Sequence, residues 1–160
     1  MSVVLQFVGN PSLASRAIEW LGSGSFSHVD IVLPDGRLLG ARSDKIGGAP
    51  AGVQIRTPDY DKWFAVSRIT LELSKSQTKQ FMDYAKKQIG KPYDKLAIFS
   101  FIVNRNWVEE DSWFCSELVM ACCNQVTGLF AHPLAVAKNK IDPCTAFAIL
   151  SILGEVNKIR

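Results

Sequence analysis

Strand-like apolar runs dominate the first half of the chain, and apolar positions at helical spacing dominate the second. "SVVLQFVG" (2–9) is apolar, rich in β-branched residues and closed by Gly9, Asn10 and Pro11, the pattern of a strand running into a turn. "PSLASRAIEWLG" (11–22) sets Leu13, Ala17, Trp20 and Leu21 at helical spacing and stops at Gly22. "HVDIV" and "RLLGARS" flank Pro34-Asp35-Gly36 and predict a β-hairpin. "GVQIRT" and "WFAVSRITLEL" supply two further strands.

The period changes after Leu73. Ser74 stands three residues before Gln77, a capping box, and Phe81, Tyr84, Ala85 and Ile89 form one helix face that Gly90 and Pro92 end. "YDKLAIFSFIV" (93–103) reads as a largely buried helix. From Phe114 to about Val126, an apolar stripe at 115, 118, 119, 122, 123 and 126 predicts another. Asp142-Pro143 opens a last helix, "CTAFAILSIL", with Asp as cap and Pro at the first position. Strands first and helices second imply an α+β fold with an antiparallel sheet.

Length and composition bound this picture. The 160 residues, 48% hydrophobic and 21% charged, fit one domain over 1–160 with a core that needs no staple. Eighteen basic and fifteen acidic residues are interspersed, so the net charge of +3 draws no nucleic-acid footprint. The N-terminal stretch lacks a positive n-region and reads as a strand, not a signal peptide. No run approaches the roughly 18 apolar residues of a membrane span, so no stable membrane anchor is expected. A cytoplasmic location with reduced cysteines follows as the expectation.

Three of the four cysteines crowd into "DSWFCSELVMACC". An adjacent Cys122-Cys123, one Cys at 115 and one at 144 do not make chelating pairs, so neither a metal nor a cofactor is expected. Cys122 and Cys123 fall on the apolar side of their helix, where a free cysteine acts as a small hydrophobe. Cys144 starts the last helix with no base paired to it in sequence. Cys115 is different: it follows the cap candidates Asp111 and Ser112 in the first helical turn, where unpaired N–H groups and the helix dipole favour a thiolate. A nucleophilic cysteine needs a base, and the chain has two histidines. His132 lies in the loop "LFAHPLA", whereas His28 opens a strand beside the Gly/Ser segment "GSGSFS", with a fixed backbone and open access.

In order, "FVGNPSLASRAIEWLGSGSFSHVDIVLPDGRLLGA", "GVQIRTPDY", "GKPYDKLAIFSF" and "WFCSELV" resemble the blocks of the circularly permuted NlpC-type cysteine hydrolases, the YiiX/YebB-like group. That group is also similar in fold to lecithin retinol acyltransferase. The resemblance covers roughly residues 3 to 125. It implies a papain-like fold with exchanged halves, an antiparallel sheet or small barrel packed against a helical bundle. By the same resemblance, Cys115 matches the nucleophile and His28 the base. Ser116 and Glu117 match motif residues after the cysteine, and Tyr93 and Asp94 match a block that is structural or cleft-lining. Trp113, Phe114 and Tyr93 fit both a cleft wall and the core.

One position departs from the pattern. The residue that orients the imidazole in this family stands on the next strand, about twelve residues on and before an Ala; here that position is Gly40. Its role then falls to another side chain, and Ser43, Gln54 and Asp30 are the candidates.

The resemblance implies acyl transfer through a Cys115 acyl-enzyme, with amides of bacterial cell-wall peptides as the leading substrate. A cytosolic chain would need another factor to deliver it to the envelope, as in a phage or secreted-effector setting. Two alternatives stand beside this: a lipid acyltransferase or an ester or thioester hydrolase, and a binding module that keeps the fold without turnover.

Overall fold

The computed structural model of the chain describes residues 1–9, 25–94, 112–131 and 141–159. The expected helix over 11–22, the expected helix beyond Asp94, Asp111 and His132 lie outside these residues.

The alternating segments form β1 (Ser2–Gly9), β2 (His28–Val32), β3 (Leu38–Arg42), β4 (Gly52–Arg56) and β5 (Ala65–Glu72), and a short β6 (Glu155–Lys158) follows near the C-terminus. They make one antiparallel sheet in the order β4-β3-β2-β1-β5-β6. This sheet is open. Strands β4 and β6 are its edges, so the small-barrel alternative does not hold among the described residues. The β2–β3 hairpin turns at Gly36, whose φ of 82° favours glycine, and closes with the Leu33 N–H on the Arg37 carbonyl at 2.8 Å.

Three helices are described: α1 (Lys75–Lys87), α2 (Cys115–Asn124) and α3 (Pro143–Ser151). Ser74 Oγ accepts the Gln77 N–H at 3.2 Å and Gln77 Oε1 accepts the Ser74 N–H at 3.0 Å, so the capping box forms as its sequence predicts. Helix α1 ends at Lys87. Ile89 therefore leaves the expected apolar face and is 39% exposed, while Phe81 and Ala85 are fully buried. Asp142 caps α3 by accepting the N–H groups of Cys144 and Thr145 at 2.8 and 3.0 Å.

Helix α2 is apolar on more than the expected stripe. All of Cys115 to Cys123 is buried, because β2, β3, α1 and α3 surround it. One face of the sheet, with Leu5, Phe7, Val29, Ile31, Leu39 and Ile69, joins Phe81, Leu118, Cys122 and Leu150 in a single core. Each such aliphatic residue contributes about 1.5–3 kcal/mol on burial, and together they fix α2 against β2 and β3.

No helix among the described residues is long and apolar enough to cross a membrane.

Candidate active site

Cys115 is placed by two segments that meet in parallel. The Trp113 N–H donates to the Pro92 carbonyl and the Asp94 N–H to the Trp113 carbonyl, each at 3.1 Å, so "GKPYD" and "WFCSE" lie side by side. The first is itself docked on β4 by the Val53 N–H, which donates to the Lys91 carbonyl at 2.9 Å. A side chain at Gly52 would sit 2.4 Å from that carbonyl. Tyr93 and Trp113 are buried, with the Tyr93 ring 5.8 Å from that of Phe114 and Trp113 Nε1 donating to Gln88 Oε1 at 3.2 Å. They wall the start of α2 from within the core.

The N-cap of α2 is Phe114, not Ser112. A phenylalanine offers no acceptor, and the Glu117 carboxylate instead takes the Phe114 N–H at 3.1 Å, leaving a negative charge in the first turn. Ser116 donates its hydroxyl to the Ile141 carbonyl, tying α2 to the residue before the α3 cap. Both side chains are thus occupied in holding the helix.

Cys115 is close enough to His28 to favour the charge on its ring. His28 Nε2 lies 2.9 Å from Asp30 Oδ1. Tyr60 donates its hydroxyl to Asp30 Oδ2 at 2.7 Å. With Nε2 bound to Asp30, Nδ1 is the ring nitrogen left for the sulfur. Burial works against the charge on His28, but the Asp30 carboxylate, then Cys115, outweigh it and push the imidazole up to about 9. Burial likewise opposes the charge on Asp30, and His28, then Tyr60 and Arg42, hold it below its ordinary 3.8. Burial, and then the Asp30 charge, raise the Tyr60 phenol, so it remains a donor.

Around this line stands an aromatic and cationic wall. Trp63 stacks with the His28 ring at 6.4 Å and 14°, and meets Tyr60 edge-on at 5.2 Å. Arg42 lies over the Tyr60 and Trp63 rings at 5.2 and 5.8 Å while pairing with Asp44 at 2.7 Å and Asp61 at 3.2 Å. Arg56 is 2% exposed and donates to the carbonyls of Gly40, Ile46 and Pro50, which fixes the loop after β3. Neither Tyr60, Trp63 nor Arg42 is singled out by the sequence pattern, although the aromatic pair in "PDYDKW" between two strands is the signal that carries them.

Of the candidates for the orienting side chain, the structure brings Asp30 to His28. Ser43 is exposed just past β3, and Gln54 stands opposite Gly40 on β4, half-buried. Cys122 and Cys123 are fully buried, and burial raises both thiols, that of Cys123 to about 12. Cys144 donates its thiol to the Phe26 carbonyl at 3.3 Å. Among the described residues no three His, Cys, Asp or Glu side chains are grouped to hold a metal ion. A cavity of about 300 Å³ lies at the far end of β2, lined by Val3, Val4, Val32, Leu33, Pro34 and Met82, away from His28.

No family model and no curated protein sequence matches this chain. Among solved structures it is similar to the metalloprotein YiiX of Escherichia coli O157:H7, with a TM-score of 0.53 over 99% of this chain and 88% of that one. The fold is YiiX-like. At 20% identity the likeness to YiiX is one of fold. It extends over the sheet, α2 and α3 together, so the strand that carries His28 and the helix that carries Cys115 belong to one YiiX-like unit.

Proposed function

We propose that the chain is a cysteine hydrolase of the permuted, NlpC-type papain-like kind, with Cys115 as nucleophile and His28 as its acid and base. The observation that carries this reading is His28 bonded to Asp30 at 2.9 Å, with Cys115 near enough to favour the charge on the same ring. An imidazole oriented by a carboxylate and near a cysteine sulfur is suited to nucleophilic cysteine catalysis.

With its pKa near 9, His28 carries a proton at neutral pH. In this mechanism the sulfur attacks as its thiolate, beside the imidazolium. The sulfur adds to the carbonyl carbon of an amide, and the oxygen takes up the electron pair. Backbone N–H groups at the start of α2, that of Cys115 among them, would receive that oxyanion. Collapse breaks the C–N bond, His28 gives its proton to the departing amine, and a thioester to Cys115 remains. Water then attacks the thioester as His28 accepts its proton, and the acid leaves with Cys115 restored. Amides of bacterial cell-wall peptides are the substrate class the reading favours.

Cys115 is 1% exposed and His28 7% exposed, so a carbonyl reaches the sulfur only when neighbouring groups move aside. That closure favours a second reading, a binding module of the same fold. Intact-mass analysis after incubation with cell-wall peptides and with lipid esters separates the readings. A peptidyl adduct on Cys115, lost in Cys115→Ser, supports the amidase; an acyl-chain adduct moves the substrate to the lipid class. No adduct and no product from either would leave the binding module.

A further inference from the structure

Asp30 and Gly40 compete for one volume. The pairs Ile31↔Leu39 and Val32↔Leu38, continued by one step, set Gly40 beside Asp30 across β2 and β3. A Cβ at position 40 would lie 1.9 Å from Asp30 Oδ1 and 3.0 Å from its Cγ. Gly40 is not among the glycines with positive φ, so backbone conformation does not demand it. Space does. The oxygen in that space is the one that bonds His28 Nε2, while the other oxygen accepts from Tyr60. Asp30 is 1% exposed and Tyr60 7%, so water does not replace either bond freely.

We infer that Asp30 is the positioning residue for His28, that Gly40 is needed as the vacancy its carboxylate fills, and that Tyr60 locks that carboxylate in place. Its catalytic meaning rests on the Cys115–His28 reading above. A carboxylate on the histidine's own strand, two residues on and on the same face, thereby does the work of a side chain reaching in from the next strand. The bond to Nε2 fixes the ring's tautomer and plane, and so leaves Nδ1 as the nitrogen available to the sulfur. Among the described residues, the titratable and charged groups about His28 are Asp30 on β2, Cys115 on α2 and Asp44 after β3, with Arg42, Arg56 and Tyr60 acting through Asp30.

The test is a double-mutant cycle on Asp30→Ala and Gly40→Ala, read without substrate: His28 titration by NMR, the iodoacetamide rate at Cys115, and Tm. In the wild type, His28 titrates near 9; Asp30→Ala brings it to the ordinary 6.5 or lower and slows alkylation at neutral pH. Gly40→Ala alone pushes the carboxylate off Nε2 and moves both readouts the same way, with a fall in Tm. In the Asp30→Ala background, Gly40→Ala changes nothing further, because the nearest remaining neighbour is the Val29 carbonyl at 3.4 Å. Tyr60→Phe shifts His28 in the same direction by less. If Asp30→Ala does not fold, Asp30→Asn keeps its shape and must still lower the His28 titration. Gly40→Ala that folds only beside Asp30→Ala shows the same competition. An unchanged His28 titration in the Asp30 variants, or an equal cost of Gly40→Ala in both backgrounds, overturns the inference. A cycle that holds in a chain forming no acyl-enzyme overturns the hydrolase reading alone.

Discussion

Tyr93 and Trp113 form a parallel bridge, two extended residues twenty positions apart whose backbones lie side by side just ahead of Cys115. Through it, the loop docked on β4 governs where α2 begins, and the Trp113 indole anchors the junction on Gln88 at the end of α1.

Trp113→Ala removes a buried indole and its hydrogen bond, and it should cost about 3–5 kcal/mol of stability. Urea unfolding monitored by far-UV circular dichroism measures this. A loss under about 1 kcal/mol would mean that the junction is not packed as described.

Stability should fall on both sides of a mildly acidic window. The folded pKa of His28, about 9, exceeds its ordinary 6.5, so its contribution is complete below about 6.5 and is lost as pH rises through 9. The folded pKa of Asp30 lies below its ordinary 3.8, so its contribution is complete above that value and is lost as the carboxylate protonates at lower pH. The Tm difference between wild type and His28→Ala, measured from pH 4 to 10 (roughly the span of the two titrations), should therefore be largest between about 4 and 6.5 and shrink toward alkaline pH. A difference that grows through that alkaline range would reverse the assignment of charge.

Cys122 should prove structural. Cys122→Ala is expected to cost about 1–2 kcal/mol without altering alkylation of Cys115. Peptide mapping of the native protein should find Cys122 and Cys123 unmodified at neutral pH, since burial holds both thiols in the protonated form.

Cys115→Ser should keep the fold, because an oxygen for a sulfur changes little at a single buried atom, and should abolish any acyl-enzyme. Retained turnover with a superimposable far-UV spectrum would exclude Cys115 as nucleophile.

Much of this architecture is legible in the chain because local signals agree with the global fold. Alternation defines β1 and the β2–β3 hairpin, the Ser74–Gln77 box starts α1, and Asp142-Pro143 starts α3. β6 escapes because all four of its residues are exposed and its pairing with β5 comes from geometry at a sheet edge, without hydrophobic alternation. The true cap of α2 escapes because Phe114 has no acceptor and its N–H is met by a residue three positions later. His28 and Cys115 stand out by position, but the choice among Asp30, Ser43 and Gln54 depends on strand register and on an absent side chain at Gly40. Neither is written in spacing alone. Tyr60 and Trp63 from the β4–β5 loop converge with Arg42 at the end of β3, a meeting only the folded chain displays.

The most direct test of the central claim is the pH dependence of Cys115 alkylation by iodoacetamide, in wild type and in His28→Ala, with the site assigned by peptide mass mapping. Reaction that is already rapid at neutral pH in the wild type, and that in His28→Ala is slowed and moved to higher pH, is the predicted result. A profile centred on the 8.5 typical of free thiols and identical in both proteins would contradict the Cys115–His28 pair as a catalytic unit.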